Sequence, residues 1–152
     1  ISGVPRGKRR LRALKRIASD TDDGFGSNMM GSSMFKNKLA EAEIELQALE
    51  YVELRTLAAL SVGKAPGPES SILKIVGTEL AQKMDELFVE LAAYNCLPFL
   101  PEQFEEGFQG NPVGPGTAAS SALVYFNNRK LSIFGGSNEI QRNIISKAVL
   151  GL

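Results

Sequence analysis

MFKNKLAEAEIELQALEYVELRTLAALSV, residues 34–62, is the stretch on which the fold turns. Phe35, Leu39, Ala42, Leu46 and Leu49 recur at alternating spacings of four and three, so they line one face of a long α-helix. Tyr51, Leu54 and Ala58 trace a second stripe, which predicts that the later half of the helix is buried on two sides. The following GKAPGP, residues 63–68, stops it sharply.

Working outward, four more helices are expected. The first runs from about Pro5 to Ser19, with Pro5 in a first turn where its missing N–H costs nothing and Leu11, Leu14, Ile17 and Ala18 facing inward. Residues 20–33, rich in Asp, Gly, Ser and Met, read as a loop. The third helix begins near Glu69 and continues to about Ala93, with Ile72, Val76, Leu80, Met84, Leu87 and Leu91 inward. Gly77 interrupts it at a propensity cost of about 1 kcal/mol relative to alanine, and a close helix crossing is the expected reason. Pro98, Pro101, Pro112 and Pro115 make residues 95–116 largely irregular, a length that usually signals function or a contact surface. A fourth helix, about Thr117 to Ile133, presents Ala118, Ala122, Val124, Tyr125 and Leu131. After Phe134-Gly135-Gly136, Ser137 caps a fifth, with Glu139 in the first turn where a carboxylate suits the helix dipole. Ile140, Ile144, Ile145, Ala148 and Val149 are expected to pack inward until Gly151. No strand pattern is found. The fold class is therefore all-α: an antiparallel four-helix-type bundle with an additional short C-terminal helix, forming one helical domain over residues 1–152.

Composition narrows the chemistry. The chain has 152 residues, enough for one core, and 43% of them are apolar. No apolar run approaches the roughly 20 residues that span a bilayer, and no secretory signal pattern opens the chain, so no membrane partner and a cytoplasmic location are expected. It begins at Ile1, which fits a processed chain or an excised domain. There is no histidine, which excludes Ser-His and Cys-His catalysis and histidine metal sites within this chain. The single cysteine, Cys96, allows no internal disulfide and no cysteine metal cluster, and reads as a small buried apolar residue. No metal site is expected.

Net charge is zero but unevenly spread. Arg6, Lys8, Arg9, Arg10, Arg12, Lys15 and Arg16 follow one another without an acidic residue between them, leaving the remainder acidic by seven charges. Such a block is most often a solvated helix face or a contact with an acidic partner; phosphate contact comes next, and nucleic acid is not the expected partner.

The final stretch, FGGSNEIQRNIISKAVLGL (residues 134–152), resembles the last signature of the acyl-CoA dehydrogenase family, in which a glycine turn leads through a short polar segment into an IQR helix. KLAEAEIELQALEYVELRTLAAL (residues 38–60), PGPESSILKIVGTELAQ (residues 66–82) and the opening GVPRGKRRLRALKRIA (residues 3–18) resemble the other helices of that family's carboxy-terminal domain, in the same order. Two glycines ahead of a helix amino-terminus can admit a ligand to the main chain, although a plain turn with a serine cap is the simpler reading of those residues alone.

The resemblance implies an FAD-dependent desaturation of an acyl-CoA thioester: the flavin takes a hydride from Cβ while a glutamate removes the α-proton. It implies cofactor contacts at Gly136, Ser137 and Glu139, the last with the adenine half or the pyrophosphate. It also implies partner domains, N-terminal and β, that are missing from this chain, and assembly into a homodimer or homotetramer. The sequence departs from the family pattern at three places. Gly135 stands where the glutamate base usually lies, so no catalytic residue is assigned within the chain and the base is expected upstream of Ile1, where some relatives carry it. The family's Arg-x-x-Phe-Gly element finds only Asp22-Asp23-Gly24-Phe25-Gly26. The Gly-Gly-x-Gly-Tyr element is absent from the long loop. The alternative reading is a non-catalytic structural or oligomerisation subunit of a heteromeric complex.

Overall fold

The computed structural model describes residues 3–151. It contains five α-helices: α1 (Val4–Asp20), α2 (Ser33–Ser61), α3 (Glu69–Ala92), α4 (Ala118–Asn128) and α5 (Asn138–Leu150). Three short 3₁₀ turns, Ala93–Cys96, Pro101–Phe104 and Arg129–Ser132, punctuate the connections. Among the described residues there is no strand; Asp22 and Asn28 form one isolated bridge inside the first loop. The all-α architecture is as the periodicity dictates.

α2 follows its primary stripe residue for residue. Phe35, Leu39, Ala42, Leu46 and Leu49 are all buried, and Phe35 is fully excluded from solvent. Burial of each large apolar side chain stabilises the fold by about 1.5–3 kcal/mol. The Ser32 hydroxyl caps the helix by accepting the Phe35 N–H at 3.4 Å. Opposite this stripe, Leu11, Leu14, Ile17 and Ala18 of α1 and Leu80, Met84, Leu87 and Leu91 of α3 complete the main core. The pairs Lys8–Glu50 and Lys15–Glu43 toward α1, and Lys38–Glu90 and Glu45–Lys83 toward α3, follow one another in opposite order along the two helices, so α2 runs antiparallel to both neighbours.

The structure corrects several expectations. The second α2 stripe is not buried: Tyr51 and Leu54 are 60% and 53% exposed, and Ala58 faces solvent, because no element of this chain reaches that side. At the start of α3 the inward face is rotated, with Leu73 and Ile75 buried and Ile72 exposed. α4 is shorter than expected, tightening into the 3₁₀ turn Arg129–Ser132, and Val124 is exposed. α5 also departs: Ile140, Ile144 and Val149 are exposed and Ala148 faces solvent, while the polar Asn138 is the buried residue of that helix. α3 ends at Ala92, and the residue after it, Ala93, breaks the helix with a φ of 47°, a sparsely populated conformation that costs a residue bearing Cβ about 1–3 kcal/mol.

The basic block is not uniformly a solvated face. Arg10 turns inward and pairs with Asp85, which is 1% exposed. Asn128 Nδ2 donates to the other Asp85 oxygen at 2.9 Å, and Arg10 donates to the Ala81 carbonyl at 3.1 Å. This polar cluster joins α1, α3 and α4 beside the apolar core. Cys96 is buried as expected. No described helix is long and apolar enough to cross a membrane.

Candidate functional site

The segment between α4 and α5 is built from backbone. Gly135 and Gly136 hold φ of 69° and 86°, a left-handed conformation that side chains oppose, so the turn needs glycine twice. An added Cβ at Gly135 would meet nothing within 4 Å, and both glycines are exposed. Ser137 then caps α5 by accepting the Ile140 N–H at 3.4 Å, as the sequence predicts. Gln141 Nε2 lies 3.5 Å from the Gly135 carbonyl, bracing the turn from the helix.

What anchors this turn was not legible beforehand. Asn138, 3% exposed, accepts a hydrogen bond from Lys74 Nζ at 2.7 Å and lies 3.3 Å from the Thr78 hydroxyl. Its amide donates to Glu79 at 3.3 Å, and Lys74 also donates to the Ser132 carbonyl at 3.2 Å. The only sequence signal was an asparagine directly after a cap, which reads as ordinary turn chemistry. A groove of about 420 Å³, lined chiefly by apolar groups of α2 and α3 including Leu57, Leu60, Leu73 and Gly77, borders Lys74 and Thr78. Gly77, which the sequence places at an interruption of α3, lines this groove.

Glu139 is exposed, its side chain 76% accessible. Its carboxyl is held below the usual carboxylate range, first by its own backbone N–H and then by the Ser137 hydroxyl, with Arg142 adding attraction. It therefore stays ionised at neutral pH. Arg142 is shared between Glu79 at 2.8 Å and Glu139 at 3.8 Å, so the guanidinium beside the turn is already neutralised. Among the described residues no group of His, Cys, Asp and Glu is arranged to hold a metal.

These residues decide what could lie here. The open double-glycine turn lets a flat ring or a carbonyl approach the main chain. The ionised Glu139 opposes a phosphate at the same place. The turn fits the uncharged parts of a dinucleotide better than its pyrophosphate. Gly135 supplies no proton acceptor, and Glu139, pointing to solvent with a lowered pKa, is unsuited to act as a desolvated base.

Residues 9–150 match the family model for the acyl-CoA dehydrogenase C-terminal domain. The chain is similar to acyl-CoA dehydrogenase FadE26 of Mycobacterium tuberculosis, with 26% identity over 145 residues covering 93% of this chain and 34% of that protein. It is also similar to acyl-CoA dehydrogenase IpdE1 of the same organism, with 27% identity over 119 residues covering 78% of this chain and 27% of that protein. The chain thus spans about a third of the length of these relatives or less. Among solved structures, the ChsE4-ChsE5 complex from Mycobacterium tuberculosis superposes with a TM-score of 0.76 at 24% identity, over 100% of this chain and 37% of that one. An FAD complex of PigA superposes at 0.71 with 17% identity, over 98% of this chain and 34% of that one. At these identities the superpositions speak to the fold, while the family model covers nearly the whole sequence. The chain belongs to the acyl-CoA dehydrogenase family, whose C-terminal helical domain it forms.

Proposed function

We propose that this chain is the C-terminal domain of an FAD-dependent acyl-CoA dehydrogenase that desaturates an acyl-CoA thioester between its α and β carbons. The observation that carries the reading is the double-glycine turn, held in left-handed conformation ahead of a serine-capped helix and locked to α3 through buried Asn138. In this reading Gly136 and Ser137 approach the cofactor through main chain and hydroxyl, and Glu139 faces its adenine half as a hydrogen-bond acceptor. FAD, when bound, supplies the hydride acceptor for the β-carbon. Removal of the α-proton falls to a carboxylate outside residues 1–152, because Gly135 has no side chain to do it.

Gly135 also supports a second reading, a non-catalytic subunit of a heteromeric complex, and the ChsE4-ChsE5 structure is a complex of two named proteins. The two readings agree on this chain alone. It offers one face of a cofactor site, so it should not retain flavin. Purified chain mixed with excess FAD is expected to emerge colourless from gel filtration. A yellow protein peak would show a complete site and overturn the division of labour proposed here.

Self-association belongs to the same proposal. Tyr51, Leu54 and Leu57 on α2, with Ile140, Ile144 and Val149 on α5, leave large apolar side chains uncovered. A homodimer or homotetramer that buries them is expected at micromolar concentration. Sedimentation equilibrium showing only monomer would contradict it.

A further inference from the structure

α1 distributes its cations by direction. At 3.6 residues per turn, Arg9, Arg12 and Arg16 fall within a sector of about 60° opposite the core stripe of Leu11, Leu14 and Ala18. Of the flanking cations, Lys8 pairs with Glu50, Lys15 with Glu43 and Arg10 with Asp85, while Arg6 is exposed. Arg9, Arg12 and Arg16 are exposed, and among the described residues no carboxylate pairs with them; Arg12 Nε contacts only the Lys8 carbonyl, at 3.4 Å. Three like-charged guanidinium groups along roughly 10 Å of helix repel one another, a repulsion that an opposing acidic surface relieves.

A complementary surface lies in the same chain. Residues 95–116 contain no Lys or Arg but carry Glu102, Glu105 and Glu106, all exposed and without an ion-pair partner among the described residues. Phe104 and Phe108 stand between and beside them, 49% and 37% exposed, and Phe99 stacks on Phe104 at 6.3 Å between ring centroids. The other acidic cluster is already occupied, since Asp22 and Asp23 accept the N–H groups of Gly24, Phe25 and Ser27 within their own loop. Arginine and aromatic residues are enriched at protein interfaces, and guanidinium groups stack on aromatic faces as well as pairing with carboxylates.

We infer that the Arg9–Arg12–Arg16 face of α1 docks the acidic, aromatic segment Pro101–Phe108 of a second copy of this chain. Reciprocal exchange across a two-fold axis lets both copies satisfy both surfaces in a closed dimer. This contact is distinct from the apolar faces of α2 and α5. It weakens in high salt, whereas apolar association does not.

A charge exchange tests it in the intact chain. One variant carries Arg9→Glu, Arg12→Glu and Arg16→Glu; the other carries Glu102→Lys, Glu105→Lys and Glu106→Lys. Far-UV circular dichroism first establishes that each is helical, with Arg→Gln replacing Arg→Glu should the first fail to fold. By sedimentation velocity at low salt, each variant alone should dimerise at least about tenfold more weakly than wild type. Mixed together, the two Lys/Glu variants should recover a heterodimer, because each opposes the other's altered charges. Wild-type chain that is monomeric at low salt, a variant that dimerises normally, or a mixture without recovery would each overturn the inference. With the Gln set, weakening in both variants without any effect of salt would overturn it equally.

Discussion

Asp85→Ala is expected to destabilise the bundle by about 3 kcal/mol, the range found when one partner of a buried ion pair is removed. The carboxylate is 1% exposed and receives both the Arg10 guanidinium and the Asn128 amide. Truncation strands a cation whose side chain is only 15% exposed, and leaves Asn128 without its acceptor between α3 and α4. Part of the cost is offset because Arg10 keeps its bond to the Ala81 carbonyl and lies 5.2 Å over the Phe88 ring. In a domain of this size the loss corresponds to a fall in Tm of roughly 10 °C, readable by circular dichroism. A fall within about 2 °C would show that the cluster contributes little. Replacing the cluster by apolar residues, Arg10→Met with Asp85→Leu and Asn128→Leu, should recover most of the loss, since the penalty comes from the stranded charge rather than from the absence of a pair.

The second large effect concerns chemistry. In a full-length protein of the kind proposed above, Gly135→Glu is expected to slow anaerobic bleaching of the flavin by an acyl-CoA, by about tenfold, if a carboxylate from outside this domain is the base. Two carboxylates near one α-carbon raise each other's pKa, and the working base loses its ionised fraction and its place. Gly135→Ala is the control. It imposes the same left-handed strain at φ 69° without the charge, and its Cβ meets nothing within 4 Å. If bleaching appears only in the glutamate variant while wild type is inert, the displaced base is the wrong reading and the chain comes from a subunit that lost its carboxylate here.

Sequence reading went far for the three helices of the main core and less far at the C-terminal end, for a physical reason. α1 and α2 are amphipathic, so the spacing of Leu11 and Leu14, or of Phe35, Leu39 and Leu46, identifies the buried face directly. α5 carries apolar residues on more than one side, and periodicity cannot tell a face meant for this core from one meant for another chain. Ile140 and Ile144 were therefore placed inward when they face out. The site divided in the same way. The glycine turn and the Ser137 cap were legible as local geometry, because a left-handed turn and a helix cap have few substitutes. The anchoring of Asn138 by Lys74 and Glu79 was not, since such a polar cluster is assembled from residues more than fifty positions apart and no local pattern marks them. Asp85 was hidden for the same reason, one step from Met84 in an otherwise apolar stripe.

The cores themselves are unequal. The large cluster runs through α1, α2 and α3 and ends at Leu91, whereas Ala92, Cys96 and Ala118 form a separate small one beneath α4. Beyond it, α5 buries only Asn138 and meets α3 through that residue's bonds to Lys74, Thr78 and Glu79. Elements with few buried apolar contacts open at a lower free-energy cost than the core, and α5 is such an element here. Amide protons of α5 should exchange through such openings at a lower free-energy cost than those of α2. The glycine turn would then be carried on the part that breathes, with the three-helix unit serving as its fixed frame.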